Sequence, residues 1–322
     1  MSNYFFKVLR PGINTTFQDK GRFHMQHLGV TPGGCMDLEL FSIANALVGN
    51  TSDEGVLEFA YQGPLLKWSK GKTKSAITGN VLFQIIKSNR ETIRGECNRT
   101  YVLDEKDQID ILATKQSAYG YMALEGGFDI KPFCKSVSIL SRAQIGPNEG
   151  KKIKIDDKIN IKINSKNKKN FLTKVLNNNK STIRVLKGPQ FHYFSKESQK
   201  NFFSKEYRIS NLTDRMGMRL EGTVMKNIVN TNIRSEGITK GAIQVPADGQ
   251  PIILLTDYPT IGGYPKIANV TSVDYNLLIQ KSPGEKIFFK LIELHEAEQL
   301  YKEHLNSISE IIKNIKEINW HY

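Results

Sequence analysis

Gly71–Ile86 reads GKTKSAITGNVLFQII, and the fold class turns on this stretch. SAIT and VLFQII are short apolar runs of strand length, set on either side of the turn signal Gly79 and Asn80. The opening GKT looks like the end of a phosphate-binding loop. The first glycine of a GxxxxGK[ST] pattern would fall on Leu66, however, and the residues that follow read as strand where a phosphate cradle requires a helix N-terminus. The stretch therefore points to a β fold and away from a nucleotide-binding α/β unit.

Outward from it the same rhythm holds. From Phe5 to about Ile163, runs such as FKVLRPG, LLKWSKGK, YVLDEKD, IDILAT and YGYMALEGG alternate with turn signals, which predicts an all-β domain. One helix interrupts it. Asp37 stands as N-cap before LELFSIANALV, Gly49 ends the segment, and Leu40, Phe41, Ala44, Leu47 and Val48 share a face. The stretch 165–181, SKNKKNFLTKVLNNNKS, is low in complexity and reads as a linker or exposed excursion. It separates an N-terminal β-barrel domain over 1–164 from a C-terminal β-barrel domain over 182–294, whose strands are TIRVLKGPQ, YRIS, GMRLEG, AIQVP, PIILLTD and KIFFKLIE. In 295–322, Ala297, Tyr301, His304, Ile308, Ile311, Ile315 and Ile318 alternate four and three apart. That spacing predicts a C-terminal helix with a narrow apolar stripe, packed on the chain's own barrel or turned to a partner.

With 322 residues and 39% hydrophobic content the chain can fill two cores. Its formal net charge of +13 raises a nucleic-acid reading, so the placement of the lysines matters. Many lie in 151–174, where Ile153, Ile155, Ile159, Ile161 and Ile163 keep a two-residue period, the pattern of a half-buried strand with a solvated outer face. With Phe171 its single aromatic, the tract lacks aromatics interleaved with the lysines to stack on bases, so no nucleic acid is expected as a partner. Cys35, Cys97 and Cys134 form no CxxC pair, which fits a reducing compartment without a disulfide framework. His24 and His27 have no carboxylate or cysteine at useful spacing, and no metal is expected. The N-terminus lacks a basic segment leading into an apolar core, and no run approaches the ~20 apolar residues of a membrane span. The expectation is a cytoplasmic protein without membrane contact.

The candidate site lies in Arg234–Gln280. Four prolines and five glycines there fix the backbone around Ser235, Glu236, Gln244, Asp248, Gln250, Asp257, Thr260 and Tyr264, a set suited to a small polar ligand. Two further groups carry chemistry. Gln18, Asp19 and Arg22 sit in a glycine-bounded turn, where Arg22 either contacts ligand or pairs with Asp19 or Asp37. In DRMGMRLEG, Arg215 and Arg219 either clamp a carboxylate or brace Glu221 and Glu236. Val224–Asn227, VMKN, is similar to a biotin-carrying lysine turn but lacks its second methionine, so no biotin is expected on this chain. No nucleophile, base and orienter can be assembled, and the catalytic residues are left unassigned.

Taken together, PGINTTFQDKGR, HLGVTPGGCMD, IANALVGN, LEFAYQGPLL, ITGN, LEGGFD, DRMGMRLEG, SEGITKGAIQVPADGQPIILLTDYPTIGGYPKIANV and PGEKIFF resemble the biotin-dependent carboxyltransferase family. That family includes the C subunit of 5-oxoprolinase and is often labelled allophanate hydrolase subunit 2. The resemblance covers nearly the whole chain. It implies a mainly β protein of two cyclophilin-like β-barrel domains with a few helices and a C-terminal helix. One branch acts in the ATP-dependent opening of 5-oxo-L-proline to L-glutamate with 5-oxoprolinase subunits A and B, the smaller partner being of allophanate hydrolase subunit 1 type. A second moves a carboxyl group from carboxybiotin to urea, and a third antagonises a kinase inhibitor. The sequence contains neither an ATP-grasp-like region nor a biotin carrier, which favours the first branch, with ATP bound at least partly by partner subunits. On that branch Gln244, Asp248, Gln250, Thr260 and Tyr264 would hydrogen-bond a small-molecule substrate, and Arg215 or Arg219 would meet its carboxylate or a phosphate. The chain departs from the family in two places. CKSVSILSR replaces a GSRST-like string, and Tyr258 follows Asp257 where an arginine is usual.

Overall fold

The structure, a computed structural model, describes residues 4–162, 170–174, 180–229 and 232–318. The chain divides into two compact units. One is Met1–Arg22, Asp37–Leu176 and Ser307–Tyr322; the other is Phe23–Met36 and Asn177–Asn306.

In the first unit the strands form a six-stranded and a five-stranded antiparallel sheet. The strands on either side of Gly79 and Asn80 do not pair with each other. Thr73–Thr78 lies between Tyr119–Leu124 and Thr100–Leu103 in the smaller sheet, while Val81–Ile86 lies between Gln108–Thr114 and Thr92–Arg94 in the larger. A two-residue link thus passes the chain from one sheet to the other. The crossing depends on Gly79, whose φ is +108°, and an added Cβ would stand 3.1 Å from the Tyr119 carbonyl oxygen and 3.3 Å from the Gly120 Cα. Both sheets contribute to one core around Trp68, Phe6, Phe17, Phe59, Phe83 and Leu124. Each such side chain stabilises the fold by roughly 1.5–3 kcal/mol on full burial.

The helix is Leu38–Leu47, and Asp37 caps it by accepting from the Glu39 and Leu40 N–H groups at 3.1 Å. Phe41, Ala44, Leu47 and Val48 are buried, and so is Ile43.

Two periodic patterns are interrupted. Ile153, Ile159 and Ile161 are buried, but Ile155 is exposed. It occupies a turn in which the Asp157 carboxylate accepts the Lys154 N–H at 2.8 Å, and this resets the alternation before the edge strand Lys158–Asn160. Ile163 lies outside the described residues. The C-terminal helix is Leu294–Lys313. Ile315 and Ile318 lie beyond it, because Lys316–Ile318 forms backbone hydrogen bonds as a strand against Asn170–Leu172, a strand inside the segment that reads as linker. No described helix is long and apolar enough to cross a membrane.

The second unit is a closed seven-stranded barrel. In order around it run Thr182–Lys187, Lys266–Val270, Ala242–Gln244, Ile252–Leu254, Gly217–Gly222, Tyr207–Thr213 and Lys286–Leu291. The last strand returns to the first in parallel, and the other pairs are antiparallel. Ile183, Val185, Met218, Leu220, Ile243, Ile253, Ile267 and Ile287 are buried. Helix Lys196–Ser204 adds Phe202, whose ring stacks on Phe289 at 4.5 Å. Arg184 forms three hydrogen bonds to Asp274 in the first turn of helix Ser272–Ile279, two from its guanidinium and one from its backbone N–H.

Gly79→Ala is expected to lower the stability of the chain by about 1–3 kcal/mol, read from urea unfolding, because neither the backbone conformation nor the space at that crossing accepts a side chain.

Candidate functional site

The glycine- and proline-rich block folds as three barrel strands and a small ribbon. Glu236–Gly237 pairs with Ile261–Gly262 to make the ribbon. On the barrel, Gln244 stands opposite both Lys266 and Ile252, and Ile252 stands opposite Arg219. Since successive side chains of a strand alternate faces, Arg219, Ile252 and Gln244 form a row on the face opposite Met218, Ile253 and Ile243, and a register shift between Ile243 and Gln244 brings Lys266 opposite Gln244 at its end.

Three side chains meet at the end of this row. Lys266 Nζ donates to Glu236 Oε1, and Gln190 Nε2 donates to the same oxygen at 2.8 Å. Gln190 Oε1 in turn accepts the Lys266 backbone N–H at 3.1 Å, which sets the amide's orientation. The side chain of Lys266 is only 6% exposed, while that of Glu236 is 43% exposed. The Lys266 hydrogen bond holds the Glu236 carboxyl below its usual value, with Gln190 adding to the effect against the smaller cost of burial. Gln244 is buried beside this group, with Nε2 3.5 Å from the Tyr264 carbonyl oxygen. Tyr264 is exposed, and Thr260, just before the ribbon strand, accepts the Ile238 N–H through its carbonyl at 3.3 Å.

The remaining residues of the block lock turns. Arg219 pairs with Asp248, whose other oxygen accepts the Gln250 N–H at 3.1 Å. The Gln250 amide bonds both the N–H and the carbonyl of Gly222, at 3.0 and 3.2 Å. Arg215 is buried and holds Asp257 through two hydrogen bonds of 2.9 Å, with a third to the Gly34 carbonyl at 2.6 Å. Neither arginine braces Glu221 or Glu236. Glu221 accepts from Ser210 at 2.7 Å, and Glu236 is held by Lys266 and Gln190. Tyr258 accepts a hydrogen bond from Gln26 at 3.0 Å and packs with Ile238, Ala242 and Leu254.

Gln18, Asp19 and Arg22 belong to the first unit, where they are buried against the Cys134–Arg142 segment. Gln18 donates to Thr16 and to the Ile139 carbonyl and accepts from Ser138 at 2.6 Å. Asp19 accepts from Ser136 Oγ and the Val137 N–H, both at 2.7 Å, and Arg22 donates to the Ser138 carbonyl. Nearby in the same sheet, Tyr121 donates to the buried Glu58 at 2.8 Å and accepts from the Asp37 N–H at 2.7 Å.

The sequence reading singled out Glu236 and Gln244 but missed Lys266 and Gln190. A signal for Lys266 was present, since it is the lone cation in the apolar strand KIANV, immediately after Tyr264 and Pro265.

The sequence model for the carboxyltransferase domain, subdomains A and B, matches residues 28–291. The chain belongs to this carboxyltransferase family. It is 31% identical over 296 residues to the C subunit of 5-oxoprolinase from Escherichia coli (strain K12), spanning 90% of this chain and 92% of the relative. With the corresponding 5-oxoprolinase C subunit of Haemophilus influenzae it shares 29% over 312 residues, spanning 97% and 99%. The crystal structure of the K. lactis urea amidolyase superposes with a TM-score of 0.85 at 26% identity. That match covers 95% of this chain but 20% of the larger enzyme, so the carboxyltransferase chain corresponds to about a fifth of that protein.

Two outcomes follow for this family member. Arg215→Ala is expected to cost roughly 3–5 kcal/mol of stability by stranding the buried Asp257, seen in chemical denaturation without any ligand. Because the folded-state pKa of Glu236 is depressed, its ion pair contributes fully above the usual 4.5 and is lost as acidification passes through the depressed value. Carboxyl-carbon NMR should find the Glu236 midpoint below 4.5, moving upward in Lys266→Met.

Proposed function

We propose that this chain is a subunit of an ATP-dependent 5-oxoprolinase, opening the lactam of 5-oxo-L-proline to L-glutamate together with partner subunits of the A and B types. The observation that carries this reading is the correspondence with two proteins named as the C subunit of 5-oxoprolinase, over at least 90% of both chains. The site chemistry agrees with it. A buried ammonium, two buried amides and an exposed tyrosine offer hydrogen bonds to a small, polar, carboxylate-bearing ring.

Amide resonance protects the lactam carbonyl, and ATP would supply the driving force for opening it. The one stretch similar to a phosphate loop, GKT at Gly71–Thr73, leads into the strand Thr73–Thr78 and offers no helix N-terminus. This supports a reading in which nucleotide is bound at least partly by the partner subunits. The role of this chain is to bind and orient the lactam.

The second reading is carboxyl transfer to a urea-like acceptor, supported by the family's description and the likeness to urea amidolyase. It predicts dependence on bicarbonate and on a biotin carrier. The deciding assay is 5-oxoproline-dependent ATP hydrolysis and glutamate formation by the assembled subunits with and without this chain. Turnover that requires the chain is the expected result. A stable assembly that makes no glutamate but consumes bicarbonate would overturn the oxoprolinase reading.

A further inference from the structure

Among the described residues, the Lys266–Glu236 pair differs from the other ion pairs that bury a cation. Arg215 and Asp257 are both buried, their side chains 6% and 11% exposed. Arg99–Glu96 and Lys281–Glu285 do join a buried cation to a more exposed carboxylate, but these partners are three and four residues apart and belong to local turns. Glu236 reaches Lys266 from thirty residues away, and it stands on a ribbon of two residues per strand. The two donors that converge on its Oε1, Lys266 Nζ and Gln190 Nε2, belong to the barrel side of the contact, and both side chains are more than nine-tenths buried.

A buried ammonium without a counter-charge is strongly destabilising, so the position facing Lys266 must hold an anion. Replacing one carboxylate by another preserves the ion pair and the Gln190 hydrogen bond. It returns Glu236 to water, which its carboxylate already meets. The exchange therefore costs little, whereas the same exchange at Arg215 would leave buried Asp257 without its partner.

We propose that Lys266 and Gln190 form a carboxylate-binding site whose resident occupant, Glu236, gives way to the carboxylate of a small ligand. Gln244, which stands opposite Lys266 and meets the Tyr264 carbonyl, borders the position and would face the rest of that ligand. Naming 5-oxo-L-proline as the ligand rests on the proposed function. The donor pair itself answers to any small carboxylate.

The test uses the full-length chain as wild type, Glu236→Ala and Lys266→Met, with acetate, 5-oxo-L-proline and the neutral lactam 2-pyrrolidinone as probes. Glu236→Ala should melt below wild type, and acetate should restore its melting temperature while leaving wild type nearly unchanged. By calorimetry 5-oxo-L-proline should bind Glu236→Ala about tenfold more tightly than wild type, since the competing carboxylate is gone. Lys266→Met should abolish both effects, and 2-pyrrolidinone should show neither. If Lys266→Met does not fold, Gln190→Ala keeps the ammonium and should weaken carboxylate binding about tenfold. Rescue by acetate without binding of 5-oxo-L-proline would support the donor pair and count against the oxoprolinase reading. Equal or weaker carboxylate binding in Glu236→Ala, without rescue, would overturn the inference.

Discussion

The parallel pairing of Thr182–Lys187 with Lys286–Leu291 is the constraint on which the second unit depends, because it joins the two ends of a long run of chain and closes the barrel. Closure puts the first strand beside Lys266–Val270, and the chain leaves that strand through Gly188. A Cβ at Gly188 would lie 2.2 Å from the Lys266 carbonyl oxygen, so the approach is possible only for glycine. Two residues on, Gln190 exchanges hydrogen bonds with the Lys266 backbone and points its amide at Glu236. The charge cluster is thus a product of barrel closure and not of any local motif.

The first unit handles buried polarity differently. Thr16, Glu58, Tyr121 and Thr78 form a cross-strand row of buried polar residues on the smaller sheet. Gln18 and Asp19 continue this polar set, and the Cys134–Arg142 segment provides their partners. That segment carries Ser136 and Ser138, and both hydroxyls are engaged. Hydrogen bonds of this kind cost little when complete and much when one partner is removed. Substitution at the serines should therefore be read for stability before it is read for function.

Much of this was legible in the chain. The strand rhythm, the Asp37-capped helix and the C-terminal helix follow from period and capping chemistry, which are local. What escaped depends on distant parts of the chain. Lys266 looks like an ordinary outward lysine of a strand until a carboxylate thirty residues upstream is folded over it, and Gln190 has no sequence signature at all. Arg215 and Arg219 carry the residue type for a ligand clamp, but the aspartates that engage them, Asp257 and Asp248, lie 42 and 29 residues downstream. The period-two run of isoleucines failed at Ile155 because one aspartate side chain captured a backbone N–H and made a turn. Gly79–Asn80 resembles many short turns, and only the pairing of its flanking strands reveals a passage between sheets.

The lysines around the strand Lys158–Asn160 acquire a meaning that the chain's net charge alone does not convey. This strand is an outer member of the six-stranded sheet, as is Thr92–Arg94 at the other side. An outer strand presents unpaired backbone groups to any extended chain that drifts alongside, and a flat apolar one templates aggregation. Here Lys158 is exposed and lies over Phe5, and Lys154 and Lys162 flank the strand. Part of this edge is already taken, since the Asp129 N–H bonds the Asn160 carbonyl at 2.9 Å and the Lys162 N–H donates to the Gly127 carbonyl at 3.0 Å, and the lysines beside it add a charge that disfavours edge-to-edge docking of a second copy.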